Sequence, residues 1–317
     1  MEGYFWRFTD LERGRVVIAL NGVNRDAVGE HWATLGLGSH PNGFLRTVEH
    51  PVGSADRTKL GAFAGEAFSG TADRLRVDLG EDARLDVRIT DPLPWTRRAF
   101  GGSSIFQSVP ALNQYWHPWM LGGRATGTAT VGAETWELDG ANVYAEKNWG
   151  RGGFPPAWWW GQAHGFEESD ACVAFAGGIV EAGPMQVEVT GTVVRLPGGR
   201  TFRLGNPLVS PVTAEVGDDH WSLRGRGYGW SVEIEGSAPL GQAHLLPVPL
   251  PFERRNVAGA LEHLGGEMTV TVKRRGKHIW SGRSALAGLE HGGLDRAEAE
   301  ARRRGAPAGA SAVPPVH

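Results

Sequence analysis

Short β-prone segments, each closed off by glycine, proline or aspartate, recur along nearly the whole chain, and this rhythm limits the fold more than any other feature. In the first half they are Arg15–Leu20, Leu75–Leu79, Leu85–Thr90, Ala125–Val131 and Thr135–Leu138. In the second half they are Cys172–Val180, Met185–Leu196, Val212–Val216, Tyr228–Glu235, Glu267–Lys273 and Lys277–Ser281. Several alternate with period two, as in Val187-Glu188-Val189-Thr190 and Val232-Glu233-Ile234-Glu235, so one face is apolar and the other polar. The turns are explicit at Gly80-Glu81-Asp82, Leu196-Pro197-Gly198-Gly199 and Arg275-Gly276-Lys277. With 47 Gly and 19 Pro in 317 residues, about a fifth of the chain is turn-forming, well above the usual share. The pattern predicts an all-β fold of antiparallel barrels or sandwiches. No strand–helix units repeat, which excludes a doubly wound sheet.

Helix is expected only at Leu294–Arg304, where Glu298 and Arg302 stand at i,i+4. Gly305–His317 reads as a disordered tail. Pro239–Arg255 is apolar but rich in proline, which excludes it from a central strand. It is expected to be an extended crossover covering the core, or a lip over a pocket. Gly225-Arg226-Gly227-Tyr228-Gly229 lies between strands, so it is read as a hairpin or bulge rather than a phosphate loop. A break near Gly165–Asp170 separates two β-rich halves, giving units at 1–166 and 167–293 and a terminal segment at 294–317.

Composition excludes several functions. A net charge of −3 offers no broad basic footprint for nucleic acid. The single cysteine, Cys172, rules out an intrachain disulfide and a cysteine-based metal site. No apolar run approaches the roughly 18 residues of a membrane-spanning helix. Met1–Trp6 has no basic or apolar leader, so a signal peptide is not expected.

The chemistry is expected where aromatic residues concentrate. There are 13 Trp against 4 Tyr, and eight of the Trp fall between residues 95 and 160. Two segments set ionisable or amide groups among them: Leu112–Met120, and Ala141–Gly150 followed by Phe154–Gln162. On a strand, i and i+2 share a side. That would pair His117 with Trp119, Tyr144 with Glu146, and Trp158 with Trp160. Burial in an apolar wall disfavours the charged carboxylate and raises its pKa. A carboxyl kept protonated near neutrality can donate to a substrate. Indole and phenol faces attract cations, by about 0.5–2 kcal/mol each. An acid ringed by indoles thus suits protonation of an alkene and shelter of the resulting carbocation. Core packing by the tryptophans and a surface Glu146–Lys147 pair is the competing reading.

These residues resemble the tocopherol cyclase family. Asn113-Gln114-Tyr115-Trp116-His117-Pro118 is similar to its central signature. Tyr144-Ala145-Glu146-Lys147-Asn148-Trp149-Gly150, with Phe154-Pro155 and Trp158-Trp159-Trp160-Gly161-Gln162, is similar to its second. Glu2–Trp6, Val232–Glu235 and Ala287–Gly293 extend the resemblance over most of residues 1–293. It implies two lipocalin-like β-barrel domains in tandem. It also implies proton-initiated closure of a prenylated hydroquinone to a chromanol, without a redox or nucleotide cofactor and without a metal. The related carotenoid 1,2-hydratases carry His-x-Trp and then Tyr-x-Asp. The corresponding residues here are His117, Trp119, Tyr144 and Glu146, with Glu in place of Asp. The plant cyclases carry a plastid-targeting extension with no counterpart before Met1.

The site expected on these grounds has Glu146 as proton donor, with Tyr144 or His117 orienting or recharging it or accepting the phenolic proton. Trp119, Trp149 and Trp160 would stabilise the cation and, with Trp158 and Tyr115, line the substrate site. Asn148 and Asn113 would bind the quinol oxygens or satisfy buried backbone. The expected partner is an apolar isoprenoid small molecule, met in the cytoplasm with transient contact to a membrane surface. Other readings stay open: an isoprenoid hydratase, a carrier of apolar lipids, or a pericyclase that only folds a polyene.

Overall fold

The computed structural model describes residues 1–305 except 97–99, 111, 152, 183 and 184. Nearly all regular structure is antiparallel β, in two large sheets. The first has thirteen strands. Its path runs from Leu45–His50 through His31–His40, Arg15–Arg25 and Glu2–Asp10 to Asn142–Trp149, then through Arg124–Val131 and Ala83–Thr90 to the short strand Ser54–Ala55. The second has ten. Its centre is Trp158–Ala163, Lys277–Gly292 and Arg255–Arg274, in that order. Neither path closes on itself among the described residues, so the hydrogen bonding is that of two open sheets rather than two sealed barrels. Each sheet nevertheless wraps its own core. Trp6, Phe8, Leu35, Phe68, Leu85 and Trp136 fill the first; Phe175, Trp221, Leu223, Ile234 and Met268 fill the second.

The strands follow from the alternation. Ala83–Thr90 buries every second residue, from Ala83 to Ile89, and turns Arg84, Asp86 and Arg88 outward. The glycine-rich stretch at 225–229 is a hairpin: Gly227 faces Trp230, and Tyr228 and Gly229 both take positive φ, as a tight two-residue turn demands. The helix covers Leu294–Arg303, and Glu298 and Arg302 are ion-paired. The expected tail lies outside the described residues from 306 on. Within Pro239–Arg255, expected as an extended crossover or a lip, His244–Leu250 is a hydrogen-bonded strand. Among the described residues it pairs only with Arg255–Arg274. An edge strand accommodates Pro247 and Pro249 because its outer side needs no N–H. The strand Trp158–Ala163, on the N-terminal side of the expected boundary at 166, is hydrogen-bonded into the second sheet.

The site is positioned by the meeting of the two sheets. Glu2–Asp10 and Asn142–Trp149, adjacent in the first sheet, face the three central strands of the second. Arg7 ties them together. Its side chain is fully buried, and one Nη donates to Leu264 O at 2.6 Å and Leu286 O at 3.0 Å, across the junction.

Candidate active site

A cavity of about 190 Å³ lies between the sheets. One buried water needs roughly 10–15 Å³ measured this way, so a substantial organic molecule has room. Its wall is mostly apolar. Phe5, Leu20, Trp158, Leu246 and Val248 form one side, and Leu112, Tyr115, Trp116, Val180 and Val189 another. The edge strand His244–Leu250 thus contributes an apolar flank, as its composition suggested.

Glycines make space for the indoles. Gly177 stands directly opposite Trp159 and Gly292 opposite Trp158 on neighbouring strands. A Cβ at Gly177 would come within 2.1 Å of the Trp159 indole nitrogen, and one at Gly292 within 1.9 Å of the Trp158 ring. Bare backbone opposite each ring lets a run of three tryptophans lie on a closely paired sheet.

Glu146 projects into this cavity from Asn142–Trp149 and is only 6% exposed. Its Oε2 accepts three hydrogen bonds: from Tyr144 OH at 2.6 Å, Trp116 Nε1 at 2.7 Å and Trp160 Nε1 at 2.7 Å. No donor among the described residues reaches Oε1. Burial pushes the carboxyl up from 4.5 to about 7, against the pull of the three donors, which favour its charged form. The two oxygens therefore have different tasks. Two of the donors on Oε2 are indole N–H groups, which only donate, so they hold it as an acceptor. A proton on the acid must sit on Oε1, the oxygen left free. Once that proton departs, three preorganised donors hold the charge left behind.

This burial has a consequence for stability. In the unfolded chain the carboxyl ionises near 4.5, and in the folded chain near 7. Between those values the unfolded state has lost a proton that the native state keeps, so stability falls as pH rises through the window and levels off above it. The loss at this one group is roughly 3 kcal/mol. Glu146→Gln has no such titration. Urea unfolding at pH 5 and pH 8 should show the variant gaining about that much relative to wild type at the higher pH.

The expected site residues divide. Tyr144 is fully buried behind the acid, and its phenol donates to it. Trp158 and Trp160 line the cavity, Phe5 meeting Trp160 edge-on at 5.4 Å. Tyr115 and Asn148 line it too. Asn148 Oδ1 is buried without a hydrogen-bond partner, which leaves it available to a ligand. His117, Trp119, Trp149 and Asn113 do not line the cavity as expected. Trp116, not His117, reaches the acid from the strand Tyr115–Met120. His117 instead meets Trp95 at 5.2 Å, and burial lowers its pKa to about 4, so it is neutral and out of contact with the acid. Trp119 packs with Trp6 in the first core, ring centroids 6.2 Å apart. Trp149 stacks on Tyr115 at 5.4 Å, one layer behind the wall. Asn113 accepts from Glu181 N and donates to Ile179 O, which satisfies backbone groups of the second sheet.

Three cavity residues escaped the sequence reading: Trp116 as a partner of the acid, and the carboxyls Glu262 and Glu290. A signal for the carboxyls was present. Leu-Glu-His occurs twice, at 261–263 and 289–291, each time in a glycine-flanked β segment.

The comparisons agree with this architecture. A family model described as tocopherol cyclase-like matches residues 40–293. A probable chloroplastic tocopherol cyclase of Oryza sativa subsp. japonica is 28% identical over 208 residues, covering 59% of this chain and 41% of its own length. The chloroplastic tocopherol cyclase of Zea mays is 27% identical over 196 residues, covering 59% and 40%. The chain thus spans about two fifths of the length of the curated relatives it matches. Among solved structures, kievitone hydratase from Nectria haematococca superposes with a TM-score of 0.57 at 13% identity, covering 92% of this chain and 88% of that one. CghA with Sch210972 superposes with a TM-score of 0.60 at 13% identity over the same shares. These two share the fold. With the family model spanning most of the sequence, including the strands that carry Glu146, Trp116 and Trp160, the chain belongs to the tocopherol cyclase-like family.

Proposed function

We propose that this chain is an acid-catalysed enzyme of isoprenoid substrates that protonates a side-chain double bond and closes a ring on the carbocation. The observation that carries the reading is the Glu146 carboxyl: held near neutrality, free at Oε1, and bounded by Trp116, Trp160 and Phe5 in an apolar cavity. A carrier of apolar lipids needs the cavity but gains nothing from a buried acid. The names of the plant relatives point to a prenylated hydroquinone as the substrate class.

The steps follow from the wall. The isoprenoid tail lies along Leu20, Trp158, Leu246 and Val248. Oε1–H passes its proton to the less substituted alkene carbon, leaving a tertiary cation. The faces of Trp116 and Trp160 shelter it from water, and each such contact contributes about 0.5–2 kcal/mol. The phenol oxygen then captures it, forming the C–O bond of a chromanol. Asn148, with its unpaired Oδ1, is placed to orient a quinol hydroxyl. No cofactor takes part in these steps. The apolar substrate would be drawn from a membrane surface by transient contact.

The test is incubation of the purified protein with phytylated and geranylgeranylated hydroquinones in deuterated water, followed by mass spectrometry. The expected product is an isomer of the substrate carrying one carbon-bound deuterium. A product heavier by one water would make the protein a hydratase. Tight lipid retention without turnover would make it a carrier and sink the proposal.

A further inference from the structure

Glu262 and Glu290 stand directly opposite one another on Arg255–Arg274 and Lys277–Gly292, and both line the cavity. Glu262 is buried, to 1% exposure, and Glu290 is half-buried at the cavity wall. Two ionised carboxylates at adjacent cross-strand positions in an apolar wall repel strongly, so such a pair holds one proton between them. Their surroundings say which oxygen carries the charge. The Trp158 indole N–H donates to Glu290 Oε1. Burial raises both carboxyls. With the Trp158 donor on it, Glu290 is the better placed of the two to hold the charge, which leaves the proton to Glu262. The Arg7 guanidinium, buried nearby, supplies the opposite charge. One oxygen, Glu262 Oε1, is sealed from solvent and has no hydrogen-bond partner, an orphan in a wall otherwise suited to a ligand. The pair also lies near the acid. Trp160 donates to Glu146 and is the cross-strand neighbour of Glu290, and the three carboxyls sense one another's charge.

We propose that the Glu262–Glu290 pair is the base of the reaction, taking the proton from the oxygen that captures the cation. This rests on the proton-initiated reading above and completes its proton balance. Glu146 Oε1–H gives its proton to the alkene carbon, forming a C–H bond. The oxygen lone pair of the nucleophile forms the C–O bond. The O–H bond breaks, its electrons stay on oxygen, and the proton passes to Glu290. The pair then holds two protons and Glu146 none. One proton returns to Glu146 through solvent when product leaves, so acid and base differ by a single proton across the cavity and nothing is oxidised or reduced. The nucleophile is a hydroxyl carried by the substrate's head group, which places that head group against the second sheet and the tail's double bond against Glu146.

The experiment compares wild type, Glu146→Gln, Glu290→Gln and Glu262→Gln in the deuterium assay. Without a base the cation forms but the oxygen cannot be deprotonated, so Glu290→Gln should still wash deuterium into recovered or double-bond-shifted substrate. Its cyclic product should fall by about 10²–10⁴-fold, the range for a lost general base. Glu146→Gln should lose both signals. Ring closure by Glu290→Gln at the wild-type rate would overturn the proposal. A second measurement does not depend on turnover or on that variant folding: infrared spectra of Glu146→Gln at pH 7 should contain a protonated-carboxyl band that Glu146→Gln/Glu262→Gln lacks. Absence of that band while wild type still closes rings would remove this inference and leave the proposed function standing. Wild type inert towards every hydroquinone would remove the proposed function, and the base role with it, even if the band were present.

Discussion

Glu146→Gln is expected to abolish ring closure while leaving the fold and the lipid affinity intact. The amide oxygen of glutamine can accept the same three donors, from Tyr144, Trp116 and Trp160, so the packing around Oε2 is kept. What disappears is the proton on Oε1. Removing a general acid costs about 10²–10⁴-fold in rate. Here the upper end is expected, because protonation is the step that creates the electrophile. The pH profile should agree. The acid is active in its protonated form, and burial holds it there up to about pH 7. Wild-type turnover should fall about tenfold per pH unit above that value. The measurement is single-turnover product formation against pH, with retention of a labelled hydroquinone as the control for binding. A variant that turns over at more than a tenth of the wild-type rate would show that Glu146 is not the donor.

Arg7→Met should have the largest effect on stability. Arg7 is the polar tie between the sheets: it donates to Thr9 Oγ1 at 2.8 Å in its own strand and to Leu264 O and Leu286 O across the junction. Burial lowers its pKa to about 10, which still leaves it charged at neutral pH beside Glu262. Methionine fills the volume but leaves two buried carbonyls without donors and the carboxyl pair without its counter-charge. Breaking a buried, hydrogen-bonded charge in this way costs about 3–5 kcal/mol. The expected signs are a drop in Tm on the order of 10 °C and a lower urea midpoint. Arg7→Lys should recover only part of this, because an ammonium cannot reproduce the planar fork that holds Thr9 Oγ1 with one Nη and both carbonyls with the other. Unchanged stability in Arg7→Met would mean that apolar packing alone joins the sheets.

The two predictions concern residues of different legibility. Glu146 was readable because its partners are close in sequence. Tyr144 lies two residues away on the same strand, and period two places both side chains together. Arg7, Glu262 and Glu290 were not readable as a group. Each looks like the polar member of an ordinary alternating strand, and they meet only when the first strand of one sheet is laid against the central strands of the other. Tyr115–Met120 lies between these cases. Aromatic residues occupy both of its faces, so period two permitted either His117 and Trp119 or Trp116 to face the acid. The pairing with Asn142–Trp149, which shifts register between His117 and Met120 around Pro118, selected Trp116.

The sequence by itself determined the all-β class, most strand positions, the hairpin at 227–230, the terminal helix and the family. These rest on local rules: side-chain period, turn residues and short contiguous motifs. Only the tertiary structure decided that the sheets stay open, that Pro247 and Pro249 sit in an edge strand, that His117 and Trp119 turn away from the cavity, and that a second carboxyl pair faces it. The physical reason is the same in each case. A one-residue change in strand register exchanges the buried and exposed faces, and register is fixed by pairing with distant strands rather than by the residues of the strand itself.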